Sequence, residues 1–219
     1  MIRRGAIPSF LFGDKMLFGR KKKNKEEAPE EESVADLLNA LQKGPEQRSI
    51  MFIGEVSEEK AGDLISALLV LSQEKETDQE RGEDIKLYVS TFGGSAHEMF
   101  AIYDVMNWCK QFCDIRTIGM GKVMSAGTLI LAAGTKGKRT IGKNCQVMLH
   151  SVNAGYMGDL SHMKAEVENM NDLQDTYIQC LANETSMTKR QIQTLISKKL
   201  NVYLSADEAI EKGLADGVL

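Results

Sequence analysis

The chain has 219 residues, 42% of them hydrophobic and 26% charged, which suits one globular domain with an ordinary core and some extra length. A net charge of −4 gives no overall pull toward nucleic acid or anionic lipid. The longest apolar runs, such as 64–71, are far too short to span a bilayer, so neither a nucleic-acid nor a membrane partner is expected.

Residues 1–33 stand apart. Up to Lys25 they hold eight basic residues against Asp14 alone, and 26–33 then turn acidic. The apolar stretch 6–12 is short and no small-residue cleavage site follows it, so the segment reads as a charged flexible arm rather than a secretory signal. A folded domain over 34–219 follows.

Ser33 opens a helix with Val34, Leu37, Leu38 and Leu41 at helical spacing, ended by Gly44-Pro45. Residues 49–54 read as a buried strand. Ser57 caps a helix reaching about Gln73, and 74–84 form a charged loop. Residues 85–90 are the next strand, and 91–95, with Gly93-Gly94, make a tight turn into a helix. A third strand at 115–120 leads through 121–125 into a small-residue helix ending near Ala133. Strand-like segments 139–141 and 147–150 follow. Then come a Gly-punctuated stretch 151–158, a long polar helix 159–183, a helix 188–199, a short strand 201–204 and a helix 205–212 with a Ser205/Glu208 capping box. The alternation of strand and helix predicts an α/β fold with a mainly parallel sheet.

Four cysteines (109, 113, 145, 180) form no CxxC pair and have no histidine cluster nearby. They read as buried free thiols in a reducing compartment, and Cys109 and Cys113, four apart, are expected on one helical face. Of three histidines, His97 and His162 fall on helices and are expected toward solvent or in structural roles. His150 differs because it ends the apolar run Val147-Met148-Leu149. An α/β sheet presents functional groups at the carboxyl ends of its strands. Three such ends carry Gly93-Gly94, Ser125 and His150. Ser125 alone would be an ordinary helix cap. Beside His150 it becomes a candidate nucleophile with a general base, and the turn's free N–H groups suit a developing oxyanion.

From about Arg48 to Val218 the chain resembles the Clp-type serine peptidases, the ClpP family of proteolytic subunits. The resemblance rests on Phe92-Gly93-Gly94-Ser95 with 101–104, on 121–127, on 133–139, on 147–150, and on 203–209 followed by 213–216, all in the family's order. It implies a ClpP/crotonase-like spiral of βαβ units with a protruding handle, here about 151–183. It implies a serine endopeptidase with Ser125 as nucleophile and His150 as base, and with the N–H groups of Gly94 and Ala126 forming the oxyanion hole. It implies stacked heptameric rings (a tetradecamer), self-association or pairing with paralogous subunits, and a cytoplasmic setting. A Clp-type AAA+ unfoldase would feed in unfolded protein. No metal or cofactor is implied in the subunit, since ATP is used by the partner.

The position of the family's acidic triad member is occupied by Asn201. An amide can orient an imidazole but cannot stabilise an imidazolium by charge, and in a serine protease Asp→Asn costs about 10⁴ in rate. Other departures are Thr91-Phe92 in place of Ser-Pro, the bulkier Lys122-Val123-Met124, about two extra residues between the Gly pair and Ser125, the basic arm, and an early C-terminus. Two alternatives therefore stay open: a weakly active or inactive structural ring subunit, and a viral ClpP-like maturation protease acting without an unfoldase. A crotonase-type acyl-CoA enzyme fits less well, because it would not need the Ser125/His150 pair.

Overall fold

The computed structural model describes residues 48–73, 81–153, 155, 157–198 and 201–219. The expected arm 1–33 and the helix after Ser33 lie outside the described residues. The elements run β1 (Ser49–Ile53), α1 (Glu58–Gln73), β2 (Gly82–Thr91), α2 (Ala96–Cys109), β3 (Cys113–Met124), α3 (Ala126–Ala132), β4 (Thr140–Ile141), β5 (Gln146–Leu149), α4 (Leu160–Glu184), α5 (Lys189–Lys198), β6 (Val202–Leu204), α6 (Ala206–Glu211) and β7 (Gly217–Val218). The fold is the predicted α/β class. Strands pair in the order β1-β2-β3-β4-β7, all in parallel. β5 also pairs parallel with β3, above β4, and carries β6 antiparallel on its far side.

Period-2 burial sets the sheet faces. On β2, Ile85, Leu87, Val89 and Thr91 are buried and alternate with partly exposed residues. α1 covers this layer with Ala61, Leu64 and Leu68, and α2 with Met99, Ile102 and Met106. α3 is buried at all seven positions, which explains a helix built only of small and apolar residues plus Thr128. Its close approach to β2 depends on Gly127, where an added Cβ would lie 2.4 Å from the Thr91 methyl.

Three expectations need correction. β1 was expected buried, yet Met51 is 64% and Ile53 50% exposed. Phe52, with the partly buried Ile50, faces the core, while Met51 and Ile53 lie on the opposite face, level with the partly exposed Tyr88 and Ser90 of β2. β2 starts earlier than expected, at Gly82, and β3 runs from Cys113 through Met124 instead of stopping at Met120. Gly121-Lys122 looks like a turn in sequence but is a bulge. Val89 pairs with Gly119 and Thr91 with Val123, so β3 spends two residues more than β2 over that interval, with Gly121 at φ 64°. Finally, Cys109 and Cys113 do not share a helical face, because α2 ends at Cys109 and Cys113 starts β3. All four cysteines are free and buried, as expected, and burial raises each thiol pKa, that of Cys145 to about 11.

α4 is capped by Asp159, which accepts from the Ser161 and His162 N–H groups. Its first half leaves Leu160, Met163 and Val167 exposed, while Tyr177, Ile178, Cys180 and Leu181 enter the core. The helix thus has one anchored end. Arg139 secures that end to the rest. Its guanidinium is almost fully buried, forks onto Asp216, and donates to the carbonyls of Ala132 (3.1 Å) and Glu184 (2.7 Å). Burial alone would raise the Asp216 carboxyl pKa, but Arg139 and the Gly137 and Arg139 N–H groups outweigh it and hold it low. One side chain therefore joins the ends of α3 and α4 to the C-terminal segment. Arg139→Ala is expected to lower stability by about 3 kcal/mol, since it strands a partly buried carboxylate and two carbonyls. Chemical unfolding of the variant against the parent checks this.

Candidate active site

β2 ends in Thr91, whose Oγ1 accepts the Gly93 N–H at 2.9 Å. Gly93 sits at φ 101°, and a Cβ there would lie 2.5 Å from the Ser125 Cβ and 3.0 Å from its Oγ. Only glycine lets the serine turn come this close. Gly94, at φ 153°, packs on the Val56 backbone, where a Cβ would fall 2.3 Å from the carbonyl oxygen. Val56 donates to the Gly93 carbonyl and accepts from the Ser95 N–H, both at 2.9 Å. By the alternation of such a bridge, the Gly94 N–H points away from Val56.

Ser125 links β3 to α3 with φ 53° and ψ −123°, the only positive φ at a non-glycine among the described residues. Such a conformation costs on the order of 1–3 kcal/mol and persists only where its surroundings enforce it. Here the Ser125 N–H donates to the Met148 carbonyl at 2.7 Å, and its own carbonyl accepts the Thr128 N–H at 2.9 Å. The side chain occupies an N-cap position but makes no capping bond. Its Oγ lies instead 2.8 Å from His150 Nε2. Ala126 opens α3, and the N–H of a first helical residue has no partner within the helix.

The sheet register brings the histidine to this point. β5 runs beside β3 with Met148 opposite Met124, so Ser125 and His150 emerge from adjacent strand ends. Burial holds the His150 pKa below the ordinary histidine value. A lowered pKa favours the neutral ring, the form in which an imidazole can accept a proton. β6 pairs antiparallel to β5, with Leu149 opposite Val202. Continued by one residue, that register sets His150 opposite Asn201. Among the described residues no hydrogen bond joins the two. The Asn201 amide donates to the Tyr203 hydroxyl at 3.5 Å, a long contact, and the His150 ring bonds Ser125 Oγ.

Gly94, Ser125, Ala126 and His150 line one cleft of about 320 Å³. Met99, Met170, Leu173 and Tyr177 give it an apolar wall, and Asn153, Glu166 and Asn169 a polar rim. A larger groove of about 590 Å³ runs along α5, lined by Met187, Arg190, Leu195 and Val202, and includes neither Ser125 nor His150. His97 borders the cleft and is exposed; His162 is exposed and paired with Asp159 on the far part of α4. Two further residues bear on the site: Tyr177, which in sequence fits the apolar spacing of the long helix, and Thr128, in the helix of small residues. Their hydroxyls meet 2.6 Å apart beside the Ser125 carbonyl. Nothing local in the sequence signals this, because 49 positions separate them.

The model of the family described as Clp protease matches residues 29–219. The chain is also similar to the ATP-dependent Clp protease proteolytic subunit 1 of Corynebacterium glutamicum. The two are 36% identical over 177 residues, covering 78% of this chain and 79% of that protein. This chain belongs to the Clp protease family. A proteolytic subunit of that family is a serine-type peptidase, and the chain falls in that class. Among the described residues no helix is long and apolar enough to cross a membrane.

The partly buried His150 gives the candidate site a pH dependence wherever it acts as the base. A base is lost when protonated, so activity falls as pH drops through its pKa, which burial sets below the ordinary histidine value of about 6.5. The acid limb of kcat/KM against pH is expected to have its midpoint below that value.

Proposed function

We propose that the chain is the serine endopeptidase subunit of a ring-shaped, self-compartmentalising protease that degrades unfolded polypeptides. The observation that carries this reading is the 2.8 Å contact between Ser125 Oγ and His150 Nε2, made at a strained turn inside a cleft. Ser125 Oγ attacks the peptide carbonyl carbon while His150 Nε2 takes its proton. The Gly94 and Ala126 N–H groups hold the oxyanion of the tetrahedral intermediate. Collapse expels the amine, which receives the proton from His150. Water, deprotonated by His150, then attacks the acyl-enzyme and frees Ser125. The apolar wall of the cleft favours an apolar side chain next to the scissile bond.

Asn201 is assigned to orient the imidazole, its amide oxygen accepting the Nδ1–H. The β5/β6 register supports this, since it sets the two residues opposite each other. The subunit needs no metal or cofactor for these steps. ATP is consumed by a Clp-type AAA+ unfoldase, in keeping with the ATP-dependent complex to which the Corynebacterium relative belongs by name. The assembly is two stacked heptameric rings, homomeric or shared with paralogous subunits, in the cytoplasm. The exposed apolar residues of α4, Leu160, Met163 and Val167, suit a ring-to-ring handle.

A second reading, a structural ring subunit of low activity, draws on one observation: the Asn201 amide reaches Tyr203, and among the described residues no carboxylate hydrogen-bonds His150. Covalent labelling separates the two. A fluorophosphonate is expected to modify Ser125 in the assembled particle and to leave Ser125→Ala unmodified. An unlabelled particle would leave only the structural reading. Asn201→Asp restores the charge that an imidazolium lacks, and is expected to raise kcat at least tenfold, within the bound of about 10⁴ set by the reverse change in a serine protease. Steady-state cleavage of a fluorogenic peptide measures it, and an unchanged kcat would remove Asn201 from the catalytic set.

A further inference from the structure

The Ser125 carbonyl accepts more hydrogen bonds than helix geometry requires. Besides the Thr128 N–H, it receives the Thr128 hydroxyl at 2.7 Å and lies 3.3 Å from the Tyr177 hydroxyl. The two hydroxyls are themselves 2.6 Å apart. Each has a single proton. The two shortest contacts are both satisfied when Tyr177 donates to Thr128 Oγ1 and Thr128 donates to the Ser125 carbonyl. Tyr177 is 4% exposed, and burial pushes its phenol pKa up to about 12, so it stays a protonated donor at any working pH. The ring itself forms part of the cleft wall.

The consequence follows from the planar peptide bond. The Ser125 C=O and the Ala126 N–H belong to one rigid unit and point in opposite directions. Whatever fixes the carbonyl also fixes the N–H. At Ser125 the backbone is held in a disfavoured conformation, so an unsupported peptide unit would relax by rotating. We propose that Tyr177 and Thr128 are positioning residues whose linked hydroxyls hold the Ser125 carbonyl and thereby aim the Ala126 N–H at the carbonyl oxygen of the substrate under attack. Neither touches the reacting atoms. Tyr177 lies on α4, the helix whose other end projects with Leu160, Met163 and Val167 exposed. The anchored end of that helix is thus bonded directly to the catalytic turn.

This assignment rests on the proposed roles of Ser125 and Ala126, and the test keeps the two apart. Full-length parent, Tyr177→Phe, Thr128→Val and Thr128→Ser are reacted with a fluorophosphonate, and the limiting rate of Ser125 modification (kinact) is separated from the half-saturating concentration (KI). Tyr177→Phe removes one oxygen and keeps the ring. It and Thr128→Val are expected to lower kinact about tenfold, with KI unchanged. Thr128→Ser keeps the hydroxyl and is expected to stay within about twofold of the parent. The midpoint of the pH–rate profile is expected not to move, because His150 is untouched. A kinact for Tyr177→Phe equal to the parent's would overturn the positioning role while leaving Ser125 as nucleophile. So would a loss that appears in KI or that Thr128→Ser fails to rescue. A parent chain whose Ser125 does not react at all would overturn both assignments.

Discussion

The backbone of Ser125 is the constraint on which the site depends. At φ 53° and ψ −123° it turns the chain from β3 into α3, pointing Oγ across to His150 and freeing the Ala126 N–H from the helix ladder. A residue left to itself would not stay there. It is enforced from three directions: by Met148 on β5, which accepts the Ser125 N–H; by Thr128 one turn into α3; and by Tyr177 from α4. Gly93 and Gly94 complete the enclosure, because a side chain at either would collide with Ser125 or with the backbone of Val56. The strain is stored by packing around the turn, to which β3, β5, α3, α4 and the Gly-Gly turn after β2 contribute.

Register does the rest. Parallel pairing of β3 with β5 delivers Ser125 and His150 to neighbouring strand ends, and antiparallel pairing of β5 with β6 sets Asn201 opposite His150. The bulge at Gly121 matters here. It lets β3 absorb two residues beyond its partner β2 and still bring Val123 level with Thr91, so the serine turn meets the Gly-Gly turn. Without such an adjustment the side chains beyond it would be displaced along the sheet relative to the glycines.

Much of this was legible in the sequence, for a physical reason. Apolar strand runs ending in Gly-Gly, Ser and His announce themselves locally, and so does the Ser205/Glu208 capping box, so the α/β order and the Ser125/His150 pair could be read directly. What could not be read is set by partners distant in the chain. β1 has the composition of a buried strand, yet Met51 and Ile53 lie on a sheet face that is left open to solvent. Gly121-Lys122 carries turn chemistry, yet the neighbouring strand keeps it extended as a bulge. Tyr177 satisfies the helical apolar pattern, and its hydroxyl finds its use only once α4 docks on α3. Asn201 was legible as a departure from the family pattern, but sequence alone could not say where its amide would point.

The central claim is that one enforced turn presents a nucleophile, a base and two N–H donors to a single carbonyl. The most direct measurement is a crystal structure of the assembled particle with a peptide boronate. The account predicts a bond from boron to Ser125 Oγ and one boronate oxygen within hydrogen-bonding distance of both the Gly94 and Ala126 nitrogens. A boronate attached elsewhere, or one bonded to Ser125 with its oxygens turned away from both nitrogens, would contradict it.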